Sequence, residues 1–365
     1  MKLVATIKVK ATRCGPLLDM SEVFLKAVQY AIDKGFEAKI SNKFKLHHLV
    51  YKSLRQWLPA DFAIEAIAKA SENLKSTKLE KKPIMKSCPI SFNRNLFTFS
   101  SDKVRLATFT KGKRQDFPIN IPEYYWKYLD WRYQTLEVIK DKKGRMFFHV
   151  TFSREVDSPT SCGNEIVGVD LGVNNLAVCS NGKFFTGYKT KIIQFQYLRR
   201  KLQRKGTKSA KRLLRKLSGR QKRYMRWINH KVSKEVVASA DTIVLEDLKG
   251  IRKIKRGKRF NRWLHSWSFF QLQSFIKYKA VMQGKAVVFV SPYLTSQTCS
   301  SCNKLGSRYY DSFFCAHCGF SSQSDFNASC NLRRLHVNQP NVSDREGRAS
   351  FDGLRLNLGT SPTSI

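Results

Sequence analysis

Two groups of residues have the types and spacing to do chemistry. Cys299 and Cys302 are followed, after twelve intervening residues, by Cys315, Cys318 and Gly319. Four thiolates in two Cys-x-x-Cys knuckles suit the corners of a zinc tetrahedron, and glycine lets the backbone turn tightly around sulfur. Because four protein ligands leave no open position, one structural Zn2+ is the expectation. A redox Cys-x-x-Cys pair is the rival, disfavoured because the second pair stands at ribbon spacing. The second group is three acids: Asp170 at the end of the apolar run 166–170, Glu246 closing Thr242-Ile243-Val244-Leu245-Glu246, and Asp325 heading a segment with Ala328, Leu332 and Leu335 at near-helical spacing.

Three carboxylates meeting at one point would repel one another and raise their pKa values unless cations neutralise them. Two Mg2+ ions held about 4 Å apart would do so, activating a water and stabilising the leaving oxygen of a phosphodiester. Each acid alone has a plainer reading: Asp325 as a helix cap, Glu246 as a surface residue at a strand end. Their joint placement is what points to hydrolysis. Glu165, Asp247 and Asp311 read as structural or exposed, and His230 receives no role.

The rest of the chain says what such a site would act on. Among 365 residues, 67 Lys and Arg face 27 Asp and Glu, a formal charge of +40, with 25 Phe, 13 Tyr and 6 Trp interleaved. That self-repulsion calls for a polyanion, and basic residues spread among aromatics favour nucleic acid over a membrane surface. No stretch reaches the roughly 20 apolar residues of a membrane span, and the N-terminus alternates Lys with apolar residues rather than forming a signal peptide, so the cytosol is expected. The scattered Cys14, Cys88, Cys162, Cys179 and Cys330 read as reduced, mostly buried residues.

Several elements must position the acids. Alternation over residues 3–10 predicts a strand. Helical spacing follows in a unit of roughly 15–78, with Ser21 as a cap, an amphipathic segment over 43–57 and a helix opened by Pro59. Period-two patterning from 90 to 152, with a hairpin at Asp141-Lys142-Lys143-Gly144, predicts a β-barrel-like unit that includes the N-terminal strand. After a Ser/Pro/Thr-rich linker, strands at 166–170, 175–180 and 184–186 form a three-stranded meander. A basic helical pair over 193–240 breaks near Gly206 and carries Lys201, Arg204, Lys205, Lys208, Lys211 and Arg212, candidates for phosphate contacts, with Arg215 and Lys216 beyond. A strand over 242–246, a basic loop over 249–262, a helix over 267–282 and a strand over 286–290 complete the pattern, before a polar tail over 336–365 expected to be disordered.

At the chemistry-bearing residues the chain resembles the TnpB (OrfB) family of insertion-sequence nucleases, relatives of the type V CRISPR effectors. The likeness rests on Gly168-Val169-Asp170-Leu171-Gly172-Val173, Val244-Leu245-Glu246-Asp247-Leu248, Thr295-Ser296-Gln297-x-Cys299 and Asp325-x-Asn327-Ala328-x2-Asn331-Leu332, spanning 164–335. It departs at Ser321-Ser322-Gln323-Ser324, where relatives carry charged residues. The resemblance implies an α/β plus β-barrel architecture. A wedge β-barrel would be split between 1–14 and 79–160, with a helical recognition bundle at 15–78. A RuvC-like, RNase H-like nuclease domain would span 161–335, with the zinc ribbon inserted at 293–322.

It also implies activity and partners: a monomeric ribonucleoprotein in the prokaryotic cytosol, at the nucleoid, guided by a transposon-end RNA. This would cut double-stranded DNA beside a short adjacent motif through Asp170, Glu246 and Asp325. A guided DNA-binding repressor without cleavage and a strand-transferring transposase remain the alternatives, and a miniature CRISPR effector would share these residues.

Overall fold

The computed structural model describes residues 2–12, 15–110, 112–141, 143–157, 163–172, 174–248, 257, 268–291, 294–338 and 354–356. The chain divides into two compact units, Met1–Val156 with Phe351–Ile365, and Asp157–Ser350.

In the first unit, β1 (Lys2–Lys10) buries Leu3, Ala5, Ile7 and Val9 and exposes or half-exposes the residues between them. Three helices follow: α1 (Gly15–Glu37), α2 (Lys43–Leu54) and α3 (Ala60–Ser76). Ser21 is not the cap of α1. Pro16 is compatible with a helix's first turn, and buried Leu17 and Met20 carry the apolar stripe one turn further toward the N-terminus. Asn42 caps α2 instead, its Oδ1 accepting from the Phe44 and Lys45 amides at 2.9 and 3.3 Å.

The strands β2 (Ile90–Phe92), β6 (Arg132–Lys140) and β7 (Met146–Glu155) join β1 in a sheet of order β1-β7-β6-β2. The others, β3 (Phe97–Phe99), β4 (Lys103–Ala107) and β5 (Arg114–Pro118), form a separate antiparallel sheet. Among the described residues the expected barrel is therefore two hydrogen-bonded sheets in contact, with Phe99 edge-on to Phe152 and Phe117 to Phe148. A strand over Leu354–Leu356 (β16) runs parallel to β1, Leu3 opposite Leu354. The tail thus holds one strand where disorder was expected: the free edge of β1 offers unpaired backbone groups that a short Leu-x-Leu segment can satisfy. Residues 339–353 and 357–365 lie outside the described residues.

In the second unit the meander is β8 (Ile166–Asp170), β9 (Ala177–Cys179) and β10 (Phe184–Phe185). The basic pair is α4 (Tyr188–Lys205) and α5 (Lys208–Ala238), broken where Gly206 takes φ 66° and its amide caps Leu202. Then come β11 (Thr242–Glu246), α6 (Phe269–Met282) and β12 (Ala286–Val290). Most of the basic loop at 249–262 falls outside the described residues. The sheet order is β10-β9-β8-β11-β12, with β8, β11 and β12 parallel and the meander antiparallel. Three ribbon strands, β13 (Ser307–Tyr309), β14 (Ser312–Phe314) and β15 (Ser321–Gln323), precede α7 (Ser324–Asn338).

Candidate active site

Strand parity decides where the acids go. Successive side chains of a strand alternate faces, so Val167 and Val169 of β8 share one face with Ile243 and Leu245 of β11. That face is packed under Val232 and Val236 of α5 and Leu272 and Ile276 of α6. Gly168, Asp170, Val244 and Glu246 belong to the other face, where Val244 and Val290 pack against Leu332 of α7. Leu245 stands opposite Val169 in parallel register, so Asp170 and Glu246 end neighbouring strands side by side. Asp325, in the first turn of α7, comes down on the same end.

The approach of α7 is set by a missing side chain. A Cβ on Gly168 would lie 2.1 Å from the Ser329 carbonyl oxygen and 2.5 Å from the Arg333 amide. Only glycine leaves the helix room to sit directly on β8.

Each acid has its own support. The Thr295 hydroxyl donates to Oε1 of Glu246 at 3.0 Å, and Nε2 of Gln273 donates to its backbone carbonyl at 2.7 Å. Oδ2 of Asp325 accepts from Nδ2 of Asn175 at 2.9 Å, and Oδ1 accepts from the Arg308 guanidinium at 3.2 Å. Burial, then the charges of Glu246 and Asp325, push the Asp170 carboxyl well above the usual range. Burial also raises Glu246, partly offset by the Thr295 hydrogen bond. Arg308 pulls both down. Carboxylates crowded so that Glu246 and Asp325 both raise Asp170, and Asp325 raises Glu246, make a site short of positive charge, which suits divalent cations. Among the described residues, the four cysteines are the group whose ligand atoms gather closely enough to hold one ion, all within 4.8 Å of one another.

Those cysteines are brought together as the spacing predicts. Sγ of Cys299 lies 3.7 Å from that of Cys318, and Cys302 lies 3.5 Å from Cys315. Asn303 at φ 69° and Gly319 at φ 73° close the two knuckles in the same left-handed turn, their amides donating to Cys299 and Cys315. The donor set is what a closed tetrahedral zinc site requires. Buried Phe313 fills the ribbon core.

The ribbon is bolted to the acids. Asn327 accepts from the Ser300 amide at 2.9 Å and donates to the Thr298 carbonyl at 2.7 Å, while Asn331 donates to Thr295 and Thr298 carbonyls at 2.8 and 2.6 Å. The Thr295, Asn327 and Asn331 of the sequence motifs are thus the fasteners between first knuckle, α7 and Glu246. The departing Ser321–Gln323 strand has a local use: Oε1 of Gln323 accepts from the Phe326 amide at 2.7 Å and caps α7.

Sequence reasoning missed Arg308, Asn175 and Gln273, since nothing in a lone Arg, Asn or Gln signals its partner. His230 stacks on Phe275 at 4.0 Å, and burial pushes its imidazole down to about 4. Lys201, Arg204, Lys205, Lys208, Lys211 and Arg212 are all exposed along α4 and the start of α5.

Comparison with known proteins fits this geometry. Residues 269–332 match the family model described as "Cas12f1-like, TNB domain", and residues 149–254 match one described as "Probable transposase" (OrfB of IS605). A TnpB-like protein of Methanocaldococcus jannaschii is 30% identical over 263 residues, 65% of this chain and 92% of the relative. The chain belongs to the TnpB-like family. The CRISPR-associated endodeoxyribonuclease Cas12f1 of Sulfoacidibacillus thermotolerans is 28% identical over 218 residues, and this TnpB-like chain matches 50% of its length. A cryo-EM structure of a Cas12f1–sgRNA–target DNA complex shares the fold, with TM-score 0.55 at 17% identity, covering 87% of this chain and 81% of that one. No helix among the described residues is long and apolar enough to cross a membrane.

Proposed function

We propose that this TnpB-like chain is an RNA-guided endonuclease of transposon origin that hydrolyses double-stranded DNA beside a short adjacent motif. The observation that carries the reading is the juxtaposition of Asp170, Glu246 and Asp325 at one end of a mixed sheet of order β10-β9-β8-β11-β12, an order that suits the RNase H-like (RuvC) architecture expected from the resemblance. Family membership and the endodeoxyribonuclease relative supply the activity class, and the complex whose fold is shared contains guide RNA and target DNA.

In this reading Asp170, Glu246 and Asp325 would hold two Mg2+ ions, whose chemistry there would be to activate water and offset the charge of the phosphodiester. Asp170, whose carboxyl is raised by both other acids, would be the central ligand of the three. Thr295 and Asn175 orient the flanking carboxylates, and Arg308 supplies a fixed cation beside Asp325 that can also meet a phosphate oxygen. Cys299, Cys302, Cys315 and Cys318 hold one structural Zn2+. Lys201, Arg204, Lys205, Lys208, Lys211 and Arg212 bind nucleic-acid phosphates. The first unit would be the wedge domain with its recognition bundle, the second the nuclease domain with its ribbon, and the whole a monomeric ribonucleoprotein in the prokaryotic cytosol.

The test is RNA sequencing of purified protein followed by plasmid cutting with Mg2+, wild type against Asp170→Ala. A copurifying RNA of defined ends and products lost only in the variant support the reading; equal cutting by the variant removes the assigned site. The match to a transposase model keeps a second reading, strand transfer by the same acids. Joined rather than merely cut ends would favour it, and target protection without products would instead mark a guided repressor.

A further inference from the structure

A cavity of about 660 Å3 opens between α4, α5 and the start of α6. On α6 it is lined by Ser268 and Gln271; Gln273, which holds the Glu246 backbone, is not among its lining residues and lies two positions further along the helix, on another face. Among the described residues its wall carries glutamines from all three helices, two arginines and a lysine, and no acid. Met225 is its buried, apolar floor, while Arg200, Gln203 and Lys222 are exposed at the rim.

Among the described residues, one buried polar atom left without a hydrogen bond is on a lining residue, and another is behind the wall on Asn229, which does not line the cavity. Nε2 of Gln196, on the cavity wall, has no partner. Neither has Oδ1 of Asn229, one turn beyond Met225 and fully buried, whose Nδ2 donates to Ser268 Oγ at 2.9 Å and Gln271 Oε1 at 3.0 Å. Oε1 of Gln221 already accepts from Arg199 at 2.9 Å. With the oxygens of Gln221 and Gln271 engaged, their amide nitrogens and that of Gln196 are donors for a guest. Side-chain amides beside a void, two of them with their oxygens already engaged, suit a guest that can accept hydrogen bonds.

The chemistry of that ligand can be read from the wall. Cations at the rim suit a phosphate, side-chain amides suit the edge of a base, and a methionine floor suits its flat apolar face. The volume is in the range of small-molecule and cofactor sites. We infer that the cavity between α4, α5 and α6 receives one nucleotide of a bound nucleic-acid strand, its phosphate at the Arg200 and Lys222 rim and its base turned in over Met225 against the amides of Gln196, Gln221 and Gln271. The inference rests on the nucleic-acid-binding part of the proposed function and is independent of whether the acids cut. Phosphate contacts alone carry no sequence information. A base seated among amides gives the basic helical pair a contact that distinguishes nucleotides.

The experiment uses the full chain without divalent metal, so that nothing is cut. Binding of a short single-stranded RNA is compared with that of the same strand made abasic at successive single positions, for wild type, Gln196→Met with Gln221→Met, and Lys222→Ala. Wild type should lose about tenfold in affinity at one abasic position. The glutamine variant should bind the intact strand about as weakly as wild type binds the abasic one, with no further loss at that position, while its melting temperature stays near wild type. Lys222→Ala should weaken intact and abasic strands alike. A strand carrying 4-thiouridine at the sensitive position should crosslink to the peptide containing Met225. If a free mononucleotide competes at the same site and the glutamine variant abolishes that competition, the site stands with a free nucleotide as its source. Equal affinity for intact and abasic strands at every position, or an unchanged pattern in the glutamine variant, overturns the inference. Failure of wild type to bind any strand at low salt would fail the nucleic-acid reading itself.

Discussion

The guanidinium of Arg308, on β13 of the ribbon, donates to Oδ1 of Asp325 across 3.2 Å, and its Nε donates to the Tyr310 carbonyl at 3.1 Å. A module that reads as a metal staple therefore places a cation among the carboxylates. Since Arg308 lowers the pKa of Asp170 and Glu246, Arg308→Met should raise both further and move the acidic limb of the pH–rate profile to higher pH. Cutting at neutral pH should fall on the order of ten- to a hundredfold, with partial recovery in Arg308→Lys. An unmoved limb would show that Arg308 acts on folding alone.

The same acids make metal-free stability depend on pH. Asp170 and Glu246 have folded pKa values above their unfolded ones, so between the two the folded protein binds more protons and stability falls as pH rises. His230, pushed down to about 4, works in the opposite sense below its unfolded value. Comparison with Asp170→Asn isolates the acids. The wild type should lose melting temperature relative to that variant as pH climbs from the ordinary carboxylate range through the raised values, and Mg2+ should restore it in wild type only. A constant difference across pH, measured by calorimetry, would remove the linkage.

Zinc removal should reach the acids through the ribbon. Chelation, or Cys302→Ser, frees the knuckles that carry Thr295 and Arg308, so cutting should fall in parallel with loss of bound zinc measured by metal analysis, and return on refilling. Full activity in protein shown to lack zinc would contradict this.

Gly168→Ala asks for space that Ser329 and Arg333 occupy. It should cost about 1–3 kcal/mol in urea unfolding and more in cutting than in stability, because the displaced helix bears Asp325. Unchanged cutting would mean that α7 can move without disturbing the site.

Affinity for nucleic acid should drop on the order of a thousandfold between 50 and 200 mM salt if six or so phosphates are neutralised. Replacing Lys208, Lys211 and Arg212 with Gln should reduce the slope of log affinity on log salt by about one per residue. A slope unchanged by the triple replacement would clear that face of backbone contact.

What the sequence determined is what local rules govern. Knuckle spacing, the apolar strands ending in Asp170 and Glu246, the Gly206 break and the helices that follow β1 come from period, turn chemistry and ligand valence, and each was legible. Boundaries were not: apolar Leu17 and Met20, not a polar cap at Ser21, decided where α1 starts. The barrel became two sheets, because alternation says which face is buried and not which edges pair. The short Leu354–Leu356 strand found the edge of β1 by long-range pairing that no local pattern announces. At the site, the acids could be named one by one, but only tertiary structure decided that strand parity turns Asp170 and Glu246 toward α7, that Gly168 lets the helix come close, and that Arg308, Thr295 and Asn175 attend the carboxylates. Those partners lie between 17 and 150 residues away in sequence. Hydrogen bonds over such spans are fixed by packing, which assembles them only once the whole sheet is built.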